Sequence, residues 1–394
     1  MFRDRPFTAE KLYYFAQVHS QFPSTFANNI QVMKMCSAFG KAGIQTILIV
    51  PRRPGTKERV QGLDASLWDF FSVQKNFEIR WCSFPYPFKR LEQSLYALFV
   101  LFYTLLRNVR GVIYTRSDWI ALLLSMLGNK VILELHSYEK QSGVKFITRM
   151  AKLNRNLLAL ICISESLAKR IAKIGFPEEK INICHDGVDL ELYEPRLERG
   201  EARIGLNLPL DVKIACHVGH LYEGRGFTTM LEAAVKLPHI LFVMVGGNQT
   251  DIERCKSLAE SRNIDNIIFI GHISQKKVPR YLFAADVLLM PYTKKVSTHQ
   301  YMSPMKLFEY MAAERPIIAS DFPVLHEVLT NNKNAIFVTP GDPIALAGAI
   351  KSVIENKTFG ENLGRMALSD VKQYTWQKRA DKILEFLLKS CTVN

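Results

Sequence analysis

Residues 303–313 of the 394-residue chain read SPMKLFEYMAA, and this stretch predicts the start of a helix beside a binding site for an anion. Ser303 is a favourable N-cap residue, and Pro304 suits the first helical position, where its missing N–H loses no hydrogen bond. Unpaired backbone N–H groups and the positive end of the helix dipole would then meet Lys306 in the first turn. Glu309 shares that face, where its carboxylate could accept both hydroxyls of a ribose. Half of a nucleotide site is therefore predicted; the alternative is an ordinary helix with a solvated Lys306–Glu309 pair.

On both sides of this stretch, apolar runs of strand length alternate with longer helical segments, which is typical of βαβ units and parallel sheets. A charged segment, residues 186–208, separates two series of strands and is predicted to be a linker, because it has no apolar period. The predicted strands are 12–18, 46–50, 78–82, 112–115, 131–136 and 158–163 in the first series, and 213–219, 240–246, 266–271, 287–291, 316–319 and 335–338 in the second. We predict an α/β protein with two doubly wound domains, residues 1–190 and 196–375, and a final segment, 376–394, that packs back on the first domain.

The composition describes a globular protein, with 48% hydrophobic and 22% charged residues. The seven cysteines contain no C-x-x-C pair and are odd in number, so neither a zinc site nor a disulfide framework is predicted. The first ten residues carry charges of both signs and no apolar core of a secretory signal, so a cytoplasmic location is expected.

The formal net charge of +14 is concentrated near the N-terminus, where residues 1–110 hold 15 Lys and Arg against 7 Asp and Glu. The longest apolar run, residues 95–106, has 12 residues, whereas a bilayer-spanning helix needs about 20. Its flanks are Lys89, Arg90, Arg107 and Arg110, which suits a helix lying on anionic lipid at the inner face of the membrane as well as it suits a core helix with basic ends. No nucleic-acid-binding motif accompanies the charge, so nucleic acid is not expected as a partner.

In doubly wound sheets ligands bind beyond the carboxyl ends of the strands. The loop 219–226, GHLYEGRG, follows a predicted strand there and opens a helix. Its glycines allow the backbone to approach a phosphate, and Arg225 can donate two hydrogen bonds to a diphosphate; alone, the loop is equally consistent with an ordinary turn. Further strand-end loops contain Gly246-Gly247-Asn248, Gly271-His272-Ile273-Ser274 and Pro291-Tyr292.

Taken together, GHLYEGRG, VGGN, FIGHIS, SPMKLFEYMA and ASD (319–321) resemble the donor half of family 4 glycosyltransferases, the retaining GT-B type, over about residues 211–330. The N-terminal half adds IYTRS with Arg116, LELHSYE with His136, ICISESL with Ser164 and Glu165, and HDGVD with Gly187 and Asp189. The resemblance covers nearly the whole chain. It implies the GT-B fold, two Rossmann-like doubly wound domains that face a central cleft.

The resemblance also implies roles for individual residues. Arg225 and Lys306 would neutralise the leaving diphosphate, and His136 would line the reacting side of the sugar; these three are the expected catalytic residues. Arg116 and Glu134 would lie on the acceptor side. The remaining donor-binding residues would be Gly219, His220, Gly226, Gly247, Asn248, His272, Ile273, Ser303, Pro304, Met305 and Glu309.

The expected reaction moves a sugar, with retention, from a UDP- or GDP-linked donor to a glycan or lipid-linked acceptor in the assembly of cell-surface polysaccharide or glycolipid. The resemblance implies that no metal or other cofactor is required. Consistent with this, the chain has no D-x-D motif, and His217 and His220 have no third ligand in sequence.

Two positions depart from the family pattern. Tyr301 stands where many relatives carry the first carboxylate of a Glu-x7-Glu pair, and His220 stands where many carry an arginine. Two alternatives stay open. One is a GT-B epimerase or phosphorylase that acts on related ligands, and the other, suggested by the missing first carboxylate, is a catalytically silent nucleotide-sugar binder or scaffold.

Overall fold

The structure, a computed structural model, describes residues 11–17, 21–53, 55–61, 66–84, 92–137 and 144–392. The predicted strand residue Val18, the basic flank Lys89-Arg90 and the motif residues Tyr138 and Glu139 lie outside this part of the chain. The chain divides into two compact units, one formed by Met1–Asp186 with Trp376–Asn394 and the other by Gly187–Thr375. Each unit is a parallel sheet covered by helices, so the predicted α/β class with two Rossmann-like domains is confirmed.

The first unit alternates strands and helices along the chain. Its elements are β1 (Lys11–Phe15), α1 (Ala27–Lys41), β2 (Gln45–Arg52), α2 (Thr56–Gln61), α3 (Leu67–Phe70), β3 (Glu78–Ser83), α4 (Glu92–Leu106), β4 (Val112–Thr115), α5 (Asp118–Met126), β5 (Val131–Leu135), α6 (Val144–Ala151), β6 (Leu157–Cys162), α7 (Glu165–Lys173) and β7 (Ile181–Ile183).

The second unit repeats the alternation, and the chain then ends in a helix of the first unit. The elements are α8 (Arg199–Gly205), β8 (Lys213–Val218), α9 (Phe227–Lys236), β9 (Ile240–Val245), α10 (Gln249–Glu260), β10 (Ile267–Gly271), α11 (Val278–Ala284), β11 (Val287–Met290), α12 (Met305–Ala312), β12 (Ile317–Ser320), β13 (Ile336–Val338), α13 (Pro343–Glu355), α14 (Lys357–Val371) and finally α15 (Trp376–Thr392).

Both sheets reverse their strand order in the middle. Among the described residues the first sheet has the order β3-β2-β1-β4-β5-β6-β7, and the second has the order β10-β9-β8-β11-β12-β13. The reversals lie between β1 and β4 and between β8 and β11, where parallel neighbours send their connections to opposite sides. Ligands of doubly wound sheets bind outside the carboxyl ends of the strands, where the strand order reverses. In the second unit this position is formed by the loops after β8 and β11.

The sequence prediction was wrong about the segment after residue 186. Part of it folds as α8, and Tyr193, Ala202 and Leu208 are buried in the core of the second unit. Arg203 of α8 is also buried and donates to the Asp286 carboxylate at 2.6 Å. The segment is therefore a packed part of the second unit, fixed by a few widely spaced apolar residues and one buried ion pair. The short strand β7 was not predicted at all.

Helix α4 contains the long apolar run, and it has two different faces. One face is buried, with Tyr96, Ala97 and Val100 at 1% exposure or less. The opposite face leaves Phe102 and Leu106 exposed, at 60% and 84%. The helix therefore packs into the core with one face and exposes apolar side chains on the other. Within the described residues no helix is long and apolar enough to cross a membrane.

The C-terminal helix α15 belongs to the first unit and packs against α1. Its Arg379 is buried and donates to the backbone oxygen of His185 at 2.9 Å. This contact ties the end of the chain to the segment that follows β7.

Candidate functional site

The loop after β8 and the segment after β11 lie against each other at the carboxyl edge of the second sheet. Gly226 begins α9 at φ +87°, and a Cβ placed there would lie 1.9 Å from the backbone oxygen of Pro291. The Thr293 N–H donates to the Gly224 oxygen at 2.9 Å. Only glycine allows this approach of two backbones, and it brings the loop that carries Arg225 beside Tyr292.

Arg225 is held between two tyrosine rings. Its guanidinium carbon lies 4.6 Å from the centroid of Tyr222 and 4.8 Å from that of Tyr292. The guanidinium also donates a hydrogen bond to the Tyr222 hydroxyl, whereas its Nε is buried without a hydrogen-bond partner in the described structure. Contacts of this kind orient a cation but leave its charge uncompensated.

Lys306 lies over the same aromatic ring as Arg225. Its Nζ is 5.1 Å from the centroid of the fully buried Tyr292 and 3.5 Å from Nε2 of His217. Burial, and after it the charge of Arg225, hold the pKa of Lys306 well below its usual range, although Glu309 acts in the opposite direction. Neither cation forms an ion pair within the part of the chain that the structure describes. Arg225 and Lys306 therefore lie over the same ring, Tyr292, where together they can bind an anion that carries two charged groups.

Helix α12, which carries Lys306, begins one residue later than predicted. Pro304 is its N-cap residue rather than its first helical residue, with φ −75° and ψ 121°, and no side chain caps the helix. Ser303 is buried just ahead of it, so the predicted capping role of Ser303 was wrong. Tyr310 holds the helix against the sheet, since its hydroxyl accepts from the Val218 N–H at 2.8 Å and donates to the Leu289 oxygen at 3.2 Å. Lys306 thus sits in the first turn of a helix fixed across β8 and β11.

Glycine at position 219 makes room for the lysine. A Cβ there would lie 2.7 Å from Nζ of Lys306, and the residue has φ +140°, which side chains rarely adopt. Gly246 approaches from the next strand, because its Cβ would lie 2.6 Å from the Gly219 oxygen. The strand ends around Lys306 are therefore packed as closely as backbone allows.

The other predicted donor-binding residues surround this centre less closely. His220 is exposed and its ring is tilted against that of Tyr222, with ring centroids 5.5 Å apart. Asn248 caps α10, and its side chain accepts from the Asp251 N–H at 2.8 Å. Gly247 has φ +86° and lies near Leu221, and Met305 is the first residue of α12. After β10, His272 is exposed and Ile273 packs against the core. The carboxylate of Glu309 is 3.5 Å from the Gln275 amide.

The predicted acceptor-side residues meet around one buried carboxylate in the first unit. Glu134 of β5 is fully buried and accepts hydrogen bonds from Gln31 at 2.5 Å, from Arg379 at 3.1 Å and from the Tyr114 hydroxyl. Burial alone would raise the pKa of Glu134, but Arg379 and then His136 lower it well below its usual range. The carboxylate is therefore ionised at neutral pH.

His136 and Arg116 are both placed by this carboxylate. The Nε2 atom of His136 is hydrogen bonded to Glu134, and the ring is only half-buried. Burial, and next the charge of Arg116, lower the pKa of His136. Arg116 follows β4 and donates to Gln31 at 2.8 Å, while its Nε lies 4.0 Å from Glu134. His136 is thus an oriented, largely neutral imidazole at the carboxyl edge of the first sheet.

Two family models match the chain. Residues 29–192 match the model described as Glycosyltransferase Family 4, and residues 198–369 match the model described as Glycosyl transferases group 1. The chain belongs to the group 1 glycosyltransferases of family 4. The boundary between the two matches falls between residues 192 and 198, close to the division between the two units at Asp186.

The chain is similar in sequence to several curated glycosyltransferases. One is the D-inositol 3-phosphate glycosyltransferase of a Nocardioides species, which is 24% identical over 52% of the chain and 48% of the relative. The amylovoran biosynthesis glycosyltransferase AmsK of Erwinia amylovora is 25% identical over 48% of the chain and 46% of the relative. The chain thus spans about half the length of these curated relatives. Anabaena HepE, solved with UDP and glucose, has a TM-score of 0.72 and 16% identity, and the match covers 96% of the chain and 99% of HepE. This likeness confirms the GT-B fold.

The family resemblance did not point to every residue that shapes these two centres. His217 and Tyr292 support the cations of the second unit, and Gln31, Tyr114 and Arg379 surround Glu134 in the first. In sequence these residues resemble ordinary core positions of strands and helices. Among the described residues, no three His, Cys, Asp or Glu side chains come together as a metal site requires.

Proposed function

We propose that this chain transfers a sugar from a nucleotide-diphosphate donor to an acceptor hydroxyl, with retention at the anomeric carbon. The observation that carries the proposal is the pair formed by Arg225 and Lys306, two cations over the Tyr292 ring that lack an acidic partner in the described structure. A diphosphate is the natural ligand of two such groups at a strand end beside the start of a helix. The names of the relatives and the UDP bound to HepE support the same reaction class.

The proposed catalytic effect is electrostatic. As the bond from the sugar to the diphosphate breaks, negative charge grows on the leaving oxygen, and Arg225 and Lys306 stabilise it from fixed positions. We propose that Glu309 accepts the ribose hydroxyls, and that the backbone around Gly219 approaches the phosphates. Because the side chains supply the positive charge themselves, the proposed reaction needs no metal ion or other cofactor.

The proposed acceptor side is the first unit. His136 presents a largely neutral imidazole whose orientation is fixed by the ionised Glu134, so it can hydrogen bond to a sugar hydroxyl without adding charge. Arg116 is held by the same network. We propose that the acceptor is a glycan or a lipid-linked glycan.

Donor hydrolysis and nucleotide binding test the proposal. UDP, GDP and ADP are compared by thermal shift and titration calorimetry, and release of nucleoside diphosphate from the matching sugar donors is then measured. Arg225→Ala and Lys306→Ala should each lower turnover by about 10²–10³-fold, the loss typical of one charge-stabilising donor. Arg262→Ala is the control, because Arg262 is a partly exposed arginine paired with Glu232 away from these residues. If no nucleotide binds, the transferase proposal fails.

One outcome separates this proposal from the silent binder, and a second measurement tests retention. Tight nucleotide binding without any turnover favours the silent binder, for which Tyr301, buried at the position of the missing first carboxylate, gives a specific reason. Retention is tested by NMR of the sugar first released, before its anomers equilibrate. The donor anomer supports the proposal, and the opposite anomer contradicts it.

We also propose that the first unit docks on an anionic membrane surface, on the cytoplasmic side. Helix α5 packs against both α4 and α6, and α4 and α6 present apolar stripes to solvent. The exposed residues are Leu98, Phe102, Leu105 and Leu106 on α4 and Phe146, Met150 and Leu153 on and after α6. Over residues 93–164 the chain has nine Lys and Arg against three Asp and Glu, of which Asp118 and Glu134 are buried. Apolar stripes with basic surroundings suit anionic lipid, whereas a second copy would bring like charges together.

Liposome flotation tests the membrane proposal. The wild type should float with anionic vesicles at low salt, and a Phe102→Ser/Leu106→Ser variant should float much less. Leu210→Ser is the matched control, since Leu210 is a 53% exposed leucine of the second unit. If the wild type does not float, or if the control loses as much binding as the α4 variant, this surface does not bind lipid. Association into dimers by the α4 face would be seen by light scattering and would favour a second copy as its partner.

A further inference from the structure

His217 is a buried histidine that the proposed chemistry does not use directly. It lies in β8, it has no exposed surface, and its Nδ1 is 3.0 Å from the backbone oxygen of Leu289 in β11. A carbonyl oxygen only accepts, so this contact places the ring proton on Nδ1 and leaves a lone pair on Nε2. Nε2 is 3.5 Å from Nζ of Lys306. It is also 3.5 Å from the His220 oxygen, but the shorter contact at Nδ1 decides the tautomer.

The ring is neutral in its surroundings. Burial, and after it the charge of Lys306, lower the pKa of His217 well below its usual range. Arg225 adds to the same effect, and the backbone oxygens of Leu289 and His220 oppose it. A neutral imidazole with a fixed tautomer can therefore accept a hydrogen bond from the ammonium of Lys306.

We infer that His217 is a positioning residue for Lys306, which it orients toward the donor diphosphate without neutralising its charge. A carboxylate at the same place would pair with Lys306, and the diphosphate would then have to compete with that pair. An apolar residue would leave the ammonium without an acceptor on the sheet side, free to turn away. This inference rests on the proposed function, because the ligand that Lys306 meets is the diphosphate of the donor.

Variants of His217 test the inference by UDP titration calorimetry on the full chain. His217→Phe keeps an aromatic ring of similar size but removes the acceptor, and it should weaken UDP binding at least 10-fold. His217→Gln restores an acceptor oxygen and should stay within about 3-fold of the wild type. In a Lys306→Ala background, His217→Phe should have no further effect on the affinity, because the residue through which it acts is gone.

A second readout separates positioning from packing. Without its acceptor, the charged form of Lys306 is less stable, so its pKa falls further and the pH at which UDP affinity begins to decline should move down in His217→Phe. A residue that only fills space would lower the melting temperature and leave this pH profile unchanged. If His217→Phe binds UDP as tightly as the wild type while Lys306→Ala does not, the inference is wrong and the proposed function stands. If the wild type binds no nucleotide, the proposed function itself fails.

The tautomer gives a test that needs no folded variant of His217. In the ¹⁵N NMR spectrum of the wild type, His217 should carry its proton on Nδ1, and the Nε2 resonance should shift when Lys306 is replaced by alanine. A proton on Nε2 overturns the inference, because that nitrogen could then not accept from Lys306. This measurement decides the question if His217→Phe does not fold.

Discussion

Replacing Gly219 by alanine tests whether the lysine of helix α12 contributes to donor binding. The new Cβ would lie 2.7 Å from Nζ and 3.0 Å from Cε of Lys306, closer than real Cβ contacts. Because these atoms form the far end of a flexible side chain, the lysine can move away and the fold can persist. The substitution should therefore displace the ammonium from the site while the strand ends stay in place.

The expected magnitude follows from the contact that is lost. A hydrogen bond to a charged group contributes about 1.5–3 kcal/mol, which corresponds to a roughly 10- to 140-fold weaker dissociation constant for UDP. The φ of +140° adds a separate cost of about 1–3 kcal/mol in the free energy of unfolding. Affinity is measured by titration calorimetry, and stability by urea denaturation of the unliganded protein.

Two controls separate these effects. Gly128→Ala also places a side chain at a left-handed φ, +91°, but it meets no atom within 4 Å, so it should change stability and not UDP affinity. In a Lys306→Ala background, Gly219→Ala should cause no further loss of affinity, because both changes remove the same interaction. If the loss persists in that background, alanine at 219 blocks the phosphates directly, and the reasoning about the lysine is refuted.

Three further predictions concern the two buried centres. Tyr292→Phe, which keeps the ring, should leave UDP affinity within about 2-fold, whereas Tyr292→Leu should weaken it by about 2- to 30-fold, as measured by calorimetry. UDP should bind with proton uptake above about pH 7.5, where the ligand itself is fully ionised. The lowered pKa of Lys306 should rise in the complex, so UDP affinity should fall as pH rises from the pKa of Lys306 in the free protein to its pKa in the complex. Calorimetry in buffers of different ionisation enthalpy should find this uptake in the wild type and not in Lys306→Met. Glu134→Gln should lower the free energy of unfolding in urea by about 3–5 kcal/mol, because it leaves Arg379 buried without its ion-pair partner, while Glu78→Gln in an exposed pair should change it by less than about 1 kcal/mol.

Much of the fold could be predicted because apolar runs report the strands of parallel sheets directly. All twelve predicted strands are present within one or two residues of their predicted ends, apart from residue 18, which lies outside the described part of the chain. The strand β7 was missed because Ile181–Ile183 has only three residues and contains the polar Asn182. The linker prediction failed for a related reason. In residues 193–208 the apolar residues that reach the core are too far apart to form a period, and a buried arginine supplies part of the attachment.

The candidate site was predictable to the extent that loop chemistry is visible in sequence. Glycines and Arg225 in a strand-end loop, and Lys306 in the first turn of a predicted helix, indicated a diphosphate, and the structure brings the two cations to one ring. His217 and Tyr292 could not be predicted in the same way. Each is a buried residue in or just after a strand, and alternation along a strand does not reveal which loop or helix its side chain will meet. Their roles follow only from the neighbouring strands and from α12.

In the second unit, the two cations contact neutral side chains. Arg225 lies between two tyrosine rings and Lys306 lies beside a neutral histidine, so neither must leave a carboxylate before it meets a phosphate. Placing two like charges together at a partly buried position opposes folding, and burial, followed by the charge of Arg225, lowers the pKa of Lys306. Folding of the sheet and of α12 offsets this destabilisation before any ligand is present, and the charge that develops on a departing diphosphate would relieve it. The same arrangement is the basis of the proposed catalytic effect, because fixed positive charge would stabilise a departing diphosphate more than the bound donor.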